Sequence, residues 1–292
     1  MKKLTFYFVD VFAEGKYAGN QLAVVMGTDS LSDEQMQRIA NEIHFSETTF
    51  ILPKQNIEEF NVRIFTPTTE VSFAGHPTLG TAYIIKRAIT KNKIKQITLS
   101  LKAGKIPVTF EQKDGKEILW MKQLTPVFGK TFQIDQFQSL LTLEKSDFDN
   151  NHVIQEISTG LPFIIVPLKN LDAVKRARVN PAIIHEFAKQ TPAGILIFSQ
   201  ETYDKDNQIN VRVFVDTFGI PEDPATGSGN GCLAAYLSQN LYFGTPEVNI
   251  KVEQGFEIGR PSKLYLKVKK KDNEQLIYIG GQVVFVAEGK LF

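Results

Sequence analysis

Cysteine is nearly absent from this chain. Its 292 residues contain a single cysteine, Cys232, so no disulfide can form within the chain and a reducing compartment is the expectation. Cys232 lies inside an apolar segment, which favours a core residue over a reactive thiol. Histidine is also scarce, and the four histidines show no ligand spacing: His44, His76, His152 and His185. The sequence therefore predicts no metal site.

Charge of one sign is not in excess either, since 33 lysines and arginines stand against 32 aspartates and glutamates. That balance argues against a nucleic acid or a membrane surface as partner. No apolar run approaches the roughly 18 residues of a membrane helix. The opening MKKLTFYFVDVF begins like a signal peptide, but Asp10 interrupts the apolar run and favours a strand. We expect a cytoplasmic protein that binds neither nucleic acid nor membrane.

What the sequence does contain is a repeat at half its length. NVRIF at 61–65 recurs as NVRVF at 210–214, an offset of 149 residues. DEQMQRIANE at 33–42 matches PAIIHEFAKQ at 181–190, and both carry apolar residues at helical spacing. Two segments that agree at nearly the same offset indicate a duplicated scaffold.

The two matching segments also carry helix-start signals. Ser32 and Gln35 form a capping-box pattern, whereas Asn180 and Pro181 form an N-cap followed by an N1 proline. Apolar strand patterns flank both helices, AGNQLAVVM and TGLPFIIVP before them and ETTFILP and GILIFSQ after them. The order strand, helix, strand is therefore predicted twice.

Both halves then reach a loop whose glycine opens a strongly apolar helix. AGHPTLGTAYIIKR and TGSGNGCLAAYLSQ match, so Gly75 corresponds to Gly227. Helices that are apolar around most of their circumference are buried. We therefore predict an α+β fold of two similar domains, each a curled, mostly antiparallel sheet or barrel around a central buried helix. The predicted domains are 1–124, with the C-terminal strand at 278–292 as a candidate addition, and 125–277.

Polar residues that occur in only one half are the candidates for function. Glu47 aligns with Ile195, which suggests a semi-buried acid whose ionisation is opposed by burial and which suits proton transfer. An ordinary edge-strand glutamate is the alternative. Asp223 aligns with Val71, and here a turn-forming aspartate before Pro224 is the alternative.

The two helix starts differ as well, because Ser228 stands where the first half has His76. His76 precedes Pro77, a residue typical of the first helical position, and the positive end of the helix dipole favours a neutral imidazole there. By contrast, Glu70 and Glu222 occupy matching places in the two halves. A shared structural role is therefore predicted for these two glutamates.

Both glycine loops present backbone N–H groups at the start of a helix, an arrangement that binds anions. Two such loops facing one cleft would suit a small molecule that carries a carboxylate. A phosphate loop is the weaker interpretation, because no lysine follows the loop and GSGNGC lacks the GxGxxG spacing. The GxSxG pattern of a nucleophile elbow is absent too.

Four stretches together resemble the PhzF-like family, the isomerases related to the phenazine-biosynthesis enzyme, within the diaminopimelate-epimerase-like fold. They are VDVFAEGKYAGNQLAVV, SETTFILP, VRIFTPTTEVSFAGHPTLGTA and VRVFVDTFGIPEDPATGSGNGCLAAYL. They span both halves in the family's order and spacing. The resemblance implies two domains related by a pseudo-two-fold duplication, an active site in the cleft between them, and a homodimer. It also implies an isomerisation that needs no cofactor.

The resemblance assigns roles to residues of this chain. It implies that Glu47 is the proton-shuttling acid and base, with His76 and Asp223 assisting proton movement. The residues that it implies for substrate binding are Gly75, Gly227 and Ser228. The substrate itself does not carry over, beyond the expectation of a small carboxylate-bearing metabolite.

Two other functions stay open at this point. Related racemases invert an α-carbon with a pair of cysteines, which a chain with Cys232 alone excludes, but an epimerase that uses carboxylates is not excluded. The second alternative is a catalytically silent ligand-binding protein on the same fold.

Overall fold

The computed structural model describes residues 4–53, 58–91, 94–216, 220–271 and 274–292. The chain divides into two compact units. Unit 1 comprises Met1–Lys122 and Gly280–Phe292, and unit 2 comprises Gln123–Ile279. None of the helices within the described residues combines the length and the hydropathy that a membrane crossing requires.

Strands dominate both units and are numbered in chain order. They are β1 Leu4–Val11, β2 Asn20–Met26, β3 Glu47–Ile51, β4 Glu59–Phe65, β5 Glu70–Val71, β6 Gln96–Leu101, β7 Gly104–Lys113, β8 Lys116–Lys122, β9 Val127–Phe132, β10 Ile154–Ser158, β11 Pro162–Pro167, β12 Gly194–Ser199, β13 Ile209–Val215, β14 Ile220–Asp223, β15 Val248–Gln254, β16 Ser262–Lys271, β17 Glu274–Gly281 and β18 Val283–Leu291. The helices are α1 Asp33–Ile43, α2 Gly75–Ile84, α3 Asp135–Leu141, α4 Leu171–Arg176, α5 Pro181–Gln190 and α6 Gly227–Gln239. A π-helical turn, Ile85–Ile89, continues α2, and a short 3₁₀ turn spans Lys145–Asp147.

Strand pairing in unit 1 is mixed. β1 pairs antiparallel with β2 and with β18, β2 is parallel to β3, and β3 is antiparallel to β4. β4 then runs parallel to β6, and β6, β7 and β8 follow antiparallel. The parallel neighbours β2 and β3 are joined through α1, because parallel strands need a crossover connection that antiparallel strands do not.

Unit 2 repeats this pairing order. β9, β10 and β11 are antiparallel, α4 and α5 lie in the crossover to the parallel strand β12, and β12 is antiparallel to β13. β13 runs parallel to β15, which is antiparallel to β16. The pairing of β11, β12, β13 and β15 thus matches that of β2, β3, β4 and β6.

Each unit is built on one buried helix. All residues of α2 except Tyr83 are buried, and α2 contacts β1, β2, β3, β6, β7, β8 and β18. All residues of α6 except Gln239 are buried, and α6 contacts β10, β11, β12, β15 and β16. Such contact on all sides requires a helix without a polar face, which is the pattern that both sequences show.

A glycine allows α2 to lie close to its strands. A Cβ atom at Gly80 would lie 2.5 Å from Cδ2 of Leu22 and 2.9 Å from Cγ2 of Val11. Atoms cannot approach so closely without displacement, so the absence of a side chain at Gly80 sets the distance between α2 and the first two strands.

The predicted helix starts are confirmed for α1 and α5. The Ser32 hydroxyl accepts from the Gln35 N–H at 3.2 Å, and the Gln35 side chain accepts from the Ser32 N–H at 2.9 Å, a complete capping box. α5 begins at Pro181, with Asn180 as its N-cap.

The start of α2 differs from the expectation. α2 begins at Gly75, so Pro77 is the third helical residue rather than the first. Proline is still accommodated there, because N–H groups of the first helical turn have no partner within the helix.

Candidate active site

Glu47 and His76 lie together in unit 1. Successive side chains of a strand alternate between faces, so Glu47 and Thr49 of β3 point to the same side, toward α2. The Thr49 hydroxyl lies 2.8 Å from that of Thr81 on α2. Near the start of the same helix, Nε2 of His76 lies 3.3 Å from Oε2 of Glu47. Two contacts between one strand and one helix therefore set the position of the Glu47 carboxyl group.

His76 is 5% exposed, and burial lowers the pKa of its imidazole to about 3. A hydrogen bond to the backbone of Gln21 raises the pKa, but burial prevails. This agrees with the neutral imidazole expected from the sequence, and desolvation by burial is the largest cause of the lowered pKa. Because the ring is neutral near pH 7, its contact with Glu47 is not an ion pair there.

The Glu47 side chain retains 16% of its accessible surface. It is therefore semi-buried, as the comparison with the buried Ile195 of unit 2 predicted. A carboxyl group in this position borders solvent-accessible space while it touches a neutral imidazole.

The start of α2 presents backbone donors beside this pair. Ala74 is the N-cap and makes no side-chain capping hydrogen bond. Pro77 has no N–H, and the Thr78 N–H already donates to the Ala74 carbonyl at 3.4 Å. The other N–H groups of the first turn belong to Gly75 and His76, and their position at the helix start suits an anion.

In unit 2, Asp223, Gly227 and Ser228 lie at the corresponding helix start. Asp223 ends β14 and is 7% exposed, and its Oδ2 accepts from the Thr226 hydroxyl at 2.5 Å. Gly227 and Ser228 are the first two residues of α6. A turn-forming aspartate accepts from backbone N–H groups of its own turn, whereas this bond comes from a side-chain hydroxyl, and both interpretations of Asp223 stay open.

The glutamates that the two halves share form matching ion pairs. Nε and Nη2 of Arg63 donate to the two carboxylate oxygens of Glu70 at 2.8 and 2.6 Å. Arg212 makes the same two-pronged contact with Glu222 at 2.9 and 2.8 Å. Each pair joins the strand of the NVR motif to the short strand that follows it. This agrees with the structural role predicted for both glutamates.

Cys232 lies in the core, as predicted. It is 0% exposed, and burial raises the pKa of its thiol to about 12, so the thiol stays protonated at neutral pH. Within the part of the chain that the structure describes, no three His, Cys, Asp or Glu side chains cluster as metal ligands do.

Two residues beside Asp223 escaped the sequence analysis. Thr226 aligns with Ala74, so the search for polar residues present in one half could have found it. Gln254 of β15 hydrogen-bonds the backbone of both Asp223 and Thr226. Its counterpart in unit 1 is recognised only from strand pairing, which the sequence does not show.

Comparisons with known proteins agree with this architecture. The chain is 35% identical to an uncharacterised isomerase of Pasteurella multocida, over 98% of this chain and 93% of the relative. It is 30% identical to the trans-2,3-dihydro-3-hydroxyanthranilate isomerase of Pseudomonas aeruginosa, over 97% of this chain and 98% of the relative.

Solved structures agree too. A PhzF-family phenazine biosynthesis protein of Bacillus anthracis matches with a TM-score of 0.92 and 31% identity, covering 100% of both chains. A hydroxyproline epimerase of Agrobacterium vitis shares the fold, with a TM-score of 0.63 at 10% identity over 100% of this chain and 91% of that chain. The predicted α+β, epimerase-like fold is confirmed.

The family model described as phenazine biosynthesis-like protein matches residues 9–289, which is nearly the whole chain. The two relatives are named as isomerases, and the match covers nearly the whole length of each. The chain therefore belongs to the PhzC-PhzF phenazine biosynthesis-like family and is an isomerase.

Proposed function

We propose that this isomerase moves a proton within a small, carboxylate-bearing metabolite by general acid and base catalysis. The observation that carries the proposal is the 3.3 Å contact between Glu47 and the buried, neutral His76. Glu47 takes a proton from an activated carbon and returns it at another position of the same molecule. General acid and base groups of this kind accelerate reactions by about 10²–10⁴-fold.

Each group of the pair has a distinct part in this proposal. The neutral ring of His76 has one N–H, which the hydrogen bond to the Gln21 backbone uses, so Nε2 can accept a hydrogen bond from Glu47 when that carboxyl group is protonated. An imidazolium in its place would keep Glu47 ionised by ion pairing and would oppose its protonation during the reaction. Because burial keeps His76 neutral, no cation at this position holds Glu47 in its ionised form during the reaction.

The start of α2 supports a carboxylate as the recognised group. The N–H groups of Gly75 and His76 and the positive end of the helix dipole would hold the carboxylate next to Glu47. Asp223 and Ser228, with the N–H of Gly227, are proposed to position the substrate and assist proton movement. The reaction needs no cofactor in this proposal, because the carboxyl group itself carries the proton.

The relative from Pseudomonas aeruginosa suggests a first substrate to test. Its name specifies trans-2,3-dihydro-3-hydroxyanthranilate, which carries a carboxylate. Purified protein incubated with this compound in D₂O should yield an isomerised product, detected by NMR and mass spectrometry. Deuterium at the position that receives the proton shows exchange with solvent, whereas an unlabelled isomer shows direct return of the same proton.

Two outcomes would overturn the proposal. Exchange of an α-proton with inversion and no change of connectivity would indicate a carboxylate-based epimerase instead. No conversion of this compound or of a panel of small carboxylic acids, despite binding seen by calorimetry, would reject proton transfer at this site. A homodimer remains a prediction from the family resemblance, and light scattering of the purified protein tests it. A cytoplasmic location remains a prediction from the composition of the chain.

A further inference from the structure

Gln254 occupies the centre of a buried network behind Asp223. The residue is 0% exposed and ends β15. Its Oε1 accepts from the Thr226 N–H at 3.2 Å and from the Asn230 amide at 2.9 Å. Its Nε2 donates to the Asp223 carbonyl at 2.7 Å and to the Thr226 hydroxyl at 3.0 Å. The side-chain amide therefore uses both donors and both acceptor positions.

The direction of these hydrogen bonds follows from a backbone N–H group, which can donate but cannot accept. The Thr226 N–H can only donate, so the Gln254 atom facing it must be the oxygen, and the other arm must be the NH₂ group. The Thr226 hydroxyl consequently accepts from Gln254. Its own hydrogen is then directed at Oδ2 of Asp223, which lies 2.5 Å away. A chain of donors thus runs from Gln254 through Thr226 to the Asp223 carboxylate.

The segment after Gln254 holds the same loop from its other side. Gly255 has φ +79°, and a Cβ atom there would lie 2.6 Å from the Pro224 carbonyl oxygen. Ser262 donates to that carbonyl oxygen at 2.8 Å. Only glycine permits both this backbone conformation and this approach. Pro224, in the middle of this loop, is therefore held by contacts that do not involve the Gln254 amide.

The described residues of unit 1 contain no polar counterpart of Gln254, Thr226 and Asp223. β13 pairs with β15 so that Asn210 lies opposite Glu253, and β4 pairs with β6 so that Asn61 lies opposite Ser100. Since Asn61 and Asn210 are matching residues of the repeat, the residue after Ser100 corresponds to Gln254. The three resulting pairs of counterparts are Leu101 for Gln254, Ala74 for Thr226 and Val71 for Asp223.

The three counterpart positions in unit 1 are therefore apolar, and α2 begins without these side-chain hydrogen bonds. Burying a glutamine amide, a hydroxyl and a carboxylate costs free energy that the apolar version avoids, unless every hydrogen bond is made. If the hydrogen-bond network were needed only to fold the loop, we would expect it in both units. The polar version is present only where Asp223 is present, which connects it to the role of this carboxylate.

We propose that Gln254 is a positioning residue that, through the Thr226 hydroxyl, holds the Asp223 carboxylate in the orientation required for its action on the substrate. The catalytic consequence rests on the proposed function, in which Asp223 assists the reaction. The orientation of the Asp223 carboxylate does not depend on the proposed function, and crystal structures of the variants measure it separately. A misplaced catalytic group of this kind lowers turnover by about 10²-fold.

The test combines crystal structures with kinetics of three variants. Gln254→Met removes every hydrogen bond at nearly equal length, and Thr226→Val removes only the hydroxyl. Ser262→Ala is the matched control, because it removes a hydrogen bond to the same loop at Pro224 but leaves the chain to Asp223 intact. If Gln254→Met does not fold, Thr226→Val still breaks the last bond of the chain.

In crystals of Gln254→Met and Thr226→Val, we expect the Asp223 carboxylate to turn away from residue 226. We expect kcat to fall about 10²-fold with KM changed less than threefold, and the double variant to be no slower than the slower single variant. Ser262→Ala should keep kcat. If Ser262→Ala loses as much kcat as the other two single variants, or if the losses multiply in the double variant, Gln254 and Thr226 do not act together on Asp223.

The two proposals fail in different ways. If Asp223 keeps its orientation in both variant crystals, the positioning role of Gln254 is wrong, whatever the activity. If Asp223 turns away but wild-type protein converts no substrate, the proposed function is wrong while the positioning role stands. If Asp223 turns away and kcat is unchanged, Asp223 has no part in the rate-limiting step and the catalytic half of the proposal is rejected.

Discussion

The imidazole Nε2 of His76 lies 3.3 Å from Oε2 of Glu47, and the ring is neutral because burial lowers its pKa to about 3. This places a semi-buried carboxyl group beside a neutral imidazole rather than beside a cation. A neutral imidazole does not stabilise the glutamate anion as a cation would, which fits the proton transfer that we propose for Glu47.

Glu47→Gln should lower kcat by about 10²–10⁴-fold, because the amide retains the shape of the side chain but cannot carry the proton. The melting temperature should change little. Glu42→Gln is the matched control, since Glu42 is an exposed glutamate on α1. Steady-state kinetics on a confirmed substrate measure the effect, and wild-type activity in Glu47→Gln would show that Glu47 is not the proton carrier.

His76 should make the stability of the fold depend on pH. Its pKa is about 3 in the folded chain against 6.5 for the ordinary imidazole, so below about pH 6.5 the unfolded chain binds a proton that the folded chain does not. The free energy of unfolding is therefore fully retained above this pH and falls by about 1.4 kcal/mol per unit as the pH decreases toward 3.

His76→Gln removes this dependence. Between pH 7 and pH 5, wild-type protein should lose about 2 kcal/mol more of its free energy of unfolding than the variant, measured by urea denaturation. The control is His185→Gln, because His185 is exposed on α5. Parallel pH curves for wild type and His76→Gln would contradict a neutral buried imidazole.

The two arginine–glutamate pairs should differ in their contribution to stability. The Arg212 side chain is 4% exposed and also donates to the Val174 and Ala177 carbonyls at 2.9 Å, whereas the Arg63 side chain is 18% exposed. Arg212→Lys should cost about 3 kcal/mol, because lysine cannot reproduce the forked contacts and leaves buried acceptors unpaired. Arg63→Lys should cost about 1 kcal/mol. Equal losses in urea denaturation would show that burial does not decide the difference.

Cys232 should be chemically inert in the folded chain. The thiol is buried and its pKa is raised to about 12, so thiolate is scarce and inaccessible at pH 7. Native protein should react with a disulfide reagent at least about 10²-fold more slowly than protein unfolded in urea, as followed by absorbance. Loss of activity on rapid labelling of native protein would assign the thiol a role that the buried position does not support.

The sequence by itself determined the scaffold. Its repeat predicted the paired helices α1 and α5 and the buried helices α2 and α6, because hydrophobic periodicity and capping residues act over a few neighbouring positions. The exclusion of a two-cysteine mechanism also followed from composition alone. Comparison of the two halves singled out Glu47 and Asp223, since a polar residue where the sister half is apolar has no need in the shared fold.

Only the tertiary structure decided the chemistry of the individual groups. Desolvation by burial is the largest cause of the lowered pKa of His76, and that burial depends on strands distant in sequence that pack around α2. Gln254 reaches the Asp223 loop across 31 residues of chain, so no local pattern could reveal it. Burial and hydrogen-bond direction depend on which segments pack together, and a sequence pattern records spacing along the chain but not that packing.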